Sequence, residues 1–204
     1  VKYHPSYHNL MKSGISFGLH SIPWENENNG SHLFRAILLF LHNQVEAGSS
    51  CPITMTNASI PALLHQPNIA KKWIPKICTR NYDSSNIYWE KKNGLTIGMA
   101  MTERQGGSDV RSNLTISKPL SKSGPGNTYL LKGQKWFCSA PMSDGFLVLA
   151  KTKNGISCFL LPRWKEDGRK NDFQINRLKD KLGNRSNASS EIEFNNAHAW
   201  LIGE

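Results

Sequence analysis

At Gly94 the apolar pattern of this 204-residue chain changes its period, and that change fixes the order in which its structures come. Before it, from His8 to about Arg80, apolar residues recur at helical spacing. Leu33, Ala36, Ile37, Phe40, Leu41 and Val45 advance in steps of three and four or their neighbours, with Ser31 as an N-cap and Gly48 as the stop. A second helix is expected over residues 53–64, closed by Pro67, and a third over residues 68–78. Pro75 is expected to break or kink that third helix, because proline has no backbone N–H to donate. Residues 81–93 read as a loop.

After Gly94 the apolar residues fall in short runs and at every second position. Residues 129–132 and 135–138 are expected to be strands around a Lys132-Gly133 turn. The runs Phe146-Leu-Val-Leu-Ala150 and Ile156-Ser-Cys-Phe-Leu-Leu161 flank Asn154-Gly155, and Asn-Gly between two apolar runs signals a hairpin. Glu191-Ile-Glu-Phe194 alternates as a strand with one buried face does. No internal repeat or low-complexity segment interrupts the pattern. The expected architecture is α+β: a portion of an N-terminal helical bundle with its connecting loop over residues 1–93, then an antiparallel β-sheet or barrel domain over residues 94–204.

Composition narrows the function. Lys and Arg number 25 against 15 Asp and Glu, a net charge of +10 that favours anionic partners: nucleotides, coenzyme A phosphates, nucleic acid or membrane headgroups. The basic residues fall in dispersed groups, Lys71-Lys72, Lys91-Lys92, Arg163 to Lys170 and Arg177 to Arg185, and read as solvated surface. No apolar stretch approaches the ~18 residues of a membrane helix, so integral membrane insertion is not expected. Cys51, Cys78, Cys138 and Cys158 form no CxxC pair and read as reduced thiols inside a cell. His4 and His8 lie one helical turn apart, but two histidines without a third ligand fall short of a zinc site, and no metal is expected. The opening residues, Val-Lys-Tyr-His-Pro, carry no starting Met and no secretory signal, so the chain reads as a piece of a longer protein.

The run Ala100-Met-Thr-Glu-Arg-Gln-Gly-Gly-Ser-Asp-Val-Arg-Ser112 carries the most chemistry. Gly106 and Gly107 lack a Cβ, so the backbone can take positive φ and approach a planar ligand, while the Thr102 and Ser108 hydroxyls both donate and accept. Gly-Gly-Ser-Asp alone marks an ordinary turn. The full run resembles, at every constrained position, the first signature of the acyl-CoA dehydrogenases: a small residue, an aliphatic, Ser or Thr, Glu, two free positions, Gly-Gly-Ser-Asp, two more, then a small residue. Leu131-Lys-Gly-Gln-Lys-Trp-Phe-Cys-Ser-Ala140 is similar to that family's strand carrying Gly-x-Lys, an aromatic and a hydroxyl two residues later, with Phe137 and Ser139 in those places. Two residues apart on a strand, they share one face. The stretch from Leu178 to Phe194, with Trp200-Leu-Ile-Gly-Glu204, resembles the strand pair ending the family's β-domain. Met101 to Asp109, Lys135 to Ser139, Lys181 to Ser189 and Cys51-Pro-Ile-Thr-Met-Thr56 are similar to the AidB-like subgroup.

The resemblance implies FAD held non-covalently. Met99, Met101, Thr102, Gly107 and Ser108 would line the flavin, Thr102 at its pyrimidine edge and Ser108 reaching cofactor or substrate, while Phe137, Cys138 and Ser139 cover the other side. The implied activity is α,β-dehydrogenation of an acyl-CoA, in which a base takes the α-proton as hydride passes to the flavin. In the family that base is a Glu of the C-terminal helical domain, expected to be absent from this chain, which stops at Glu204; no catalytic residue is assigned here. Glu103 and Asp109 are read as bracing their turn. Two alternatives stay open: an AidB-like flavoprotein with non-specific double-stranded DNA binding and a protective role against alkylation damage, and a truncated, inactive remnant. Assembly as a homo-oligomer, dimer or tetramer, and an intracellular location, cytoplasmic or mitochondrial, are further implications.

Overall fold

A computed structural model describes residues 2–25 and 28–204. Among the described residues, α1 (Pro5–Ser16), α2 (Ile22–Glu25), α3 (Ser31–Val45), α4 (Ser50–Leu64) and α5 (Pro67–Ile77) precede every strand. The His4 ring caps α1 by accepting the Ser6 N–H at 3.2 Å, and Pro5 fills the first helical position, where its missing donor costs nothing. Ser31 is the first residue of α3 and not its cap; Gly30 takes the cap position, and the helix ends at Val45, before Gly48. Helix α5 opens on Pro67 and buries Ile69, Ala70, Trp73 and Ile77 along one stripe. It runs through Pro75 to Ile77 without breaking there, since the proline sits in the last turn and the Cys78 N–H still closes on the Ile74 carbonyl at 2.8 Å.

The strands are β1 (Ile97–Ala100), β2 (Ile116–Pro119), β3 (Thr128–Ser139), β4 (Gly145–Thr152), β5 (Gly155–Pro162), β6 (Phe173–Leu178) and β7 (Ser189–Ile202). Their pairings close a ring, β2 to β3 to β7 to β5 to β4 and back to β2, with β1 bridging β3 and β4, and β6 lying along β7. The sheet is mixed where an antiparallel one is expected: β1 and β2 both run parallel to β4, with Ile97 opposite Gly145 and Ile116 opposite Lys151. Side-chain alternation is the same in both directions, so a period of two carries no information about strand polarity.

Residues 129–138 form one continuous strand, not two around a turn. Gly133, at φ +147°, lies beside an irregularity in the β3–β7 ladder, and a Cβ there would stand 2.7 Å from the Thr115 hydroxyl. Glycine here marks a bulge and a close approach, while pairing with β7 continues on both sides. The Asn154-Gly155 hairpin forms as expected, joining β4 and β5 with Thr152 opposite Gly155.

One core fills the ring, built on Leu131, Cys138, Phe146, Phe159, Ile192 and Phe194. A second joins helices to sheet: Ile60, Leu63, Trp73 and Ile77 meet Ile97, Leu147, Leu160 and Trp200. Trp73 stacks on Trp89 with ring centroids 4.7 Å apart and meets Trp200 edge-on at 6.2 Å. The four cysteines are free thiols. No helix among the described residues is long and apolar enough to cross a membrane.

Candidate functional site

Strand β1 is held at both ends by buried ion pairs. Before it, Lys92 Nζ reaches Asp144 Oδ1 at 2.7 Å, and Asp144 Oδ2 accepts the Thr96 N–H at 2.9 Å. After it, Lys135 Nζ reaches Glu103 Oε1 at 2.7 Å, both side chains almost fully buried. Along β1 the side chains alternate: Ile97 and Met99 face the core shared with the helices, and Ala100 faces the ring interior. Met101, the next residue, is exposed.

The loop from β1 to β2 is built by Glu103. Its carboxylate also accepts the N–H groups of Leu114 at 2.6 Å and Thr115 at 3.1 Å and the Gln105 amide at 2.8 Å. Burial alone would raise its pKa, but Lys135 and the other donors outweigh that and hold it down at about 2. Asp109 accepts the Arg111 N–H at 3.1 Å and opens a short 3-10 turn over Val110–Ser112. Both acids therefore brace the loop. Gly106 and Gly107 are outside the positive-φ region, contrary to the expectation for them. Gly106 is needed for space, since a Cβ there would stand 2.4 Å from Ser112 Oγ and 2.7 Å from the Asp109 carbonyl, whereas one on Gly107 would only press on Thr102 Cγ2 at 3.1 Å.

The loop returns to β3 through the Thr102 carbonyl, which accepts the N–H of Trp136 at 2.9 Å and of Phe137 at 3.4 Å. Met99 pairs with Ser139 across the two strands. Backbone contacts thus gather Met99, Thr102, Phe137 and Ser139 into one patch, with Gly107 beside Thr102; Met99 also packs against the core shared with the helices, and Met101 and Ser108 are exposed at the margin. Cys138 departs from its expected place: its side chain is buried in the ring core, where burial pushes the thiol up to about 12, and only its backbone borders the patch. Among the described residues, no hydrogen bond engages the hydroxyls of Thr102, Ser108 and Ser139 or the N–H groups of Thr102, Gly107 and Ser108. Three open hydroxyls beside an aromatic ring suit a flat heterocycle with acceptors along its edge.

Trp136, which the sequence reading passes over, borders the same patch. A bulge sets Trp136 and Phe137 together between the paired residues Lys135 and Cys138, leaving both half-buried. Lys179 Nζ lies 3.3 Å from the Trp136 ring centroid and the Arg104 guanidinium 5.4 Å. The adjacent aromatics and the Arg177 to Lys179 cations were the available signal. His4 and His8 do not converge: His4 caps α1, and His8 bonds the Tyr82 hydroxyl at 2.9 Å. Among the described residues no group of three metal-ligating side chains forms. A cleft of about 360 Å³, lined by Tyr3, Tyr7, Tyr82, Asp144 and Arg163, borders the turn after β3 but includes none of the patch residues.

Residues 1–84 match the family model of the adaptive response protein AidB N-terminal domain, and residues 98–197 match that of the acyl-CoA dehydrogenase middle domain. The chain is similar to the putative acyl-CoA dehydrogenase AidB of Escherichia coli (strain K12), 48% identical over 205 residues that cover 100% of this chain and 37% of that protein. Among solved structures it is similar to Caenorhabditis elegans ACDH-11 in complex with C11-CoA, with a TM-score of 0.84 and 28% identity over 100% of this chain and 35% of that one. The acyl-CoA dehydrogenase complexed with FAD from Bacillus anthracis shares the fold, with a TM-score of 0.71 and 19% identity over 98% of this chain and 32% of that one. The chain spans about a third of the length of these relatives. With both of its matched segments, its sequence and its fold in agreement, it belongs to the acyl-CoA dehydrogenase family, in the AidB-like branch, and carries the N-terminal and middle domains of that architecture.

Proposed function

We propose that this chain supplies the flavin-holding face of an FAD-dependent acyl-CoA dehydrogenase, organised as a helical portion over residues 1–93 and a β-domain over residues 94–204. The observation that carries the reading is the convergence of Thr102, Phe137 and Ser139 on one patch whose hydroxyls are open. The chemistry of those residues suits the cofactor. The hydroxyls can donate to the carbonyl and ring-nitrogen acceptors of an isoalloxazine, and the Phe137 ring can cover its plane and exclude water. When bound, FAD supplies the hydride acceptor that no amino-acid side chain provides.

Thr102 would hold the pyrimidine edge and Ser139 would donate toward the ring's reactive nitrogen, with Met99, Met101, Gly107 and Ser108 completing the surface. Cys138 takes part through its backbone alone. An acyl-CoA is the proposed substrate, supported by the C11-CoA that the C. elegans relative holds. The abstraction of the α-proton is assigned to no residue of this chain. In the whole protein, Thr102→Ala with Ser139→Ala is expected to weaken FAD binding by about fivefold to a hundredfold, since each lost charge-free hydrogen bond is worth roughly 0.5–1.5 kcal/mol. Titration of the apoprotein by flavin fluorescence measures it, and an unchanged affinity would falsify the assignment of these hydroxyls.

A further inference from the structure

We infer that Glu103 and Lys135 are positioning residues for the flavin, a role that rests on the flavin reading above: their ion pair sets the spacing between the two segments that grip the ring. Glu103 follows Thr102 directly, and Lys135 precedes Phe137 by two residues and Ser139 by four. One carboxylate bonds β3 through Lys135 Nζ at 2.7 Å and the far stem of the loop through the Leu114 and Thr115 N–H groups. Lys135 Nζ also approaches the Met101 carbonyl at 3.4 Å, and that carbonyl accepts the Asn113 amide at 2.9 Å. Both stems of the loop and the strand opposite therefore meet at one buried point behind the patch.

The arrangement does more than hold the loop closed. The Thr102 carbonyl already ties the loop to β3 through Trp136 and Phe137, so the fold has a second attachment there. What the buried pair adds is register. A hydrogen-bonded ion pair at 2.7 Å fixes how far Lys135 is drawn toward the loop, and with it the height of Phe137 and Ser139 opposite Thr102. Ligand contacts depend on such supporting groups: at metal centres, removal of the partners that orient the ligating side chains typically costs about 10- to 100-fold in affinity, and the same logic of held geometry applies here.

Stability and positioning can be separated. Glu103→Gln alone leaves the Lys135 ammonium buried without a counter-charge, and the protein is expected to lose thermal stability. Glu103→Gln with Lys135→Met removes that orphan charge, since a buried pair exchanged for uncharged groups is often nearly neutral in stability. In the whole holoprotein, the doubly substituted form is expected to regain part of the lost melting temperature, the part due to the orphan charge, since the Gln amide cannot accept all the N–H groups that the carboxylate accepts. Its FAD dissociation constant is expected to stay about tenfold or more above the parent's, with altered visible circular dichroism of the bound flavin.

FAD affinity and dichroism equal to the parent's in the double variant would overturn the proposal and leave the pair a purely structural brace. Should that variant fail to fold, Lys135→Arg decides: it keeps the charge but changes the reach, so weaker FAD binding by a folded protein supports positioning and unchanged binding overturns it. A parent protein that takes up no FAD overturns the flavin reading itself, a result distinct from the others.

Discussion

His20 is fully buried, donates from Nε2 to the Thr79 carbonyl at 3.0 Å and leaves Nδ1 without a partner among the described residues. Burial holds its pKa below the ordinary 6.5, so the folded protein keeps the ring neutral at a pH where the unfolded chain binds a proton. Its contribution is complete above pH 6.5 and is lost as the pH falls from there toward the folded pKa. Urea unfolding between pH 8 and 5 is expected to show stability falling below about pH 6.5, by up to about 1.4 kcal/mol per pH unit from this residue. His20→Gln should flatten that slope; an unchanged slope would place the acid sensitivity elsewhere. Glu103 acts lower, its contribution fading as the pH falls from about 4.5 toward about 2. Neither effect was legible from residue identity, since burial is a property of the folded neighbourhood. That Phe137 and Ser139 lie on one face was legible from their two-residue spacing on a strand, whereas the choice of Thr102, Phe137 and Ser139 as a set came from the resemblance to the family's motifs.

Trp73 is the point at which element α5 meets the sheet. It is 1% exposed, stacked on Trp89 and set over Gly145, where a Cβ would lie 2.9 Å from its ring. Trp73→Ala should cost about 3–5 kcal/mol, because a large cavity opens between layers that cannot collapse onto each other. Chemical denaturation measures the loss; a value below about 1 kcal/mol would mean that other contacts join helices to sheet. Helices α3, α4 and α5 were readable from their periodicity to within a few residues, whereas α1 and α2 were covered only by the general helical spacing before Arg80. Strand β3 was not, because Lys132-Gly133 has the composition of a turn and only the partner strand β7 decides that it is a bulge.

At the scale of the molecule, two surfaces stand out. Helix α3 presents Leu33, Phe34, Ile37, Phe40, Leu41 and Val45 to solvent, so a clear helical pattern in the sequence belongs to a helix whose apolar residues this chain leaves uncovered. An exposed stripe of that kind drives association. Leu33→Lys with Phe40→Glu is expected to lower the average mass of this 204-residue chain in light scattering at high concentration, and an unchanged mass would exonerate the stripe. The basic groups, by contrast, are partly engaged locally: Arg169 pairs with Asp167, Arg177 and Lys179 with Glu191, and Arg185 with Asp180. The exposed pairs of Arg169 and Arg185 contribute little to stability, but together with the pairs on Glu191 they break up the positive field that composition suggests.

The sequence by itself determined that helices precede strands, that Asn154-Gly155 turns a hairpin, and that a Gly-Gly-Ser-Asp loop and a Phe-Cys-Ser strand segment belong to one family's architecture, because periodicity, turn chemistry and spacing are local. Tertiary structure alone decided that the strands close into a mixed ring, that Cys138 turns inward while Phe137 and Ser139 stay on the patch, and that Glu103 finds Lys135 thirty-two positions along the chain. Those outcomes depend on which strand lies beside which, and strand pairing is set by the packing of the whole chain.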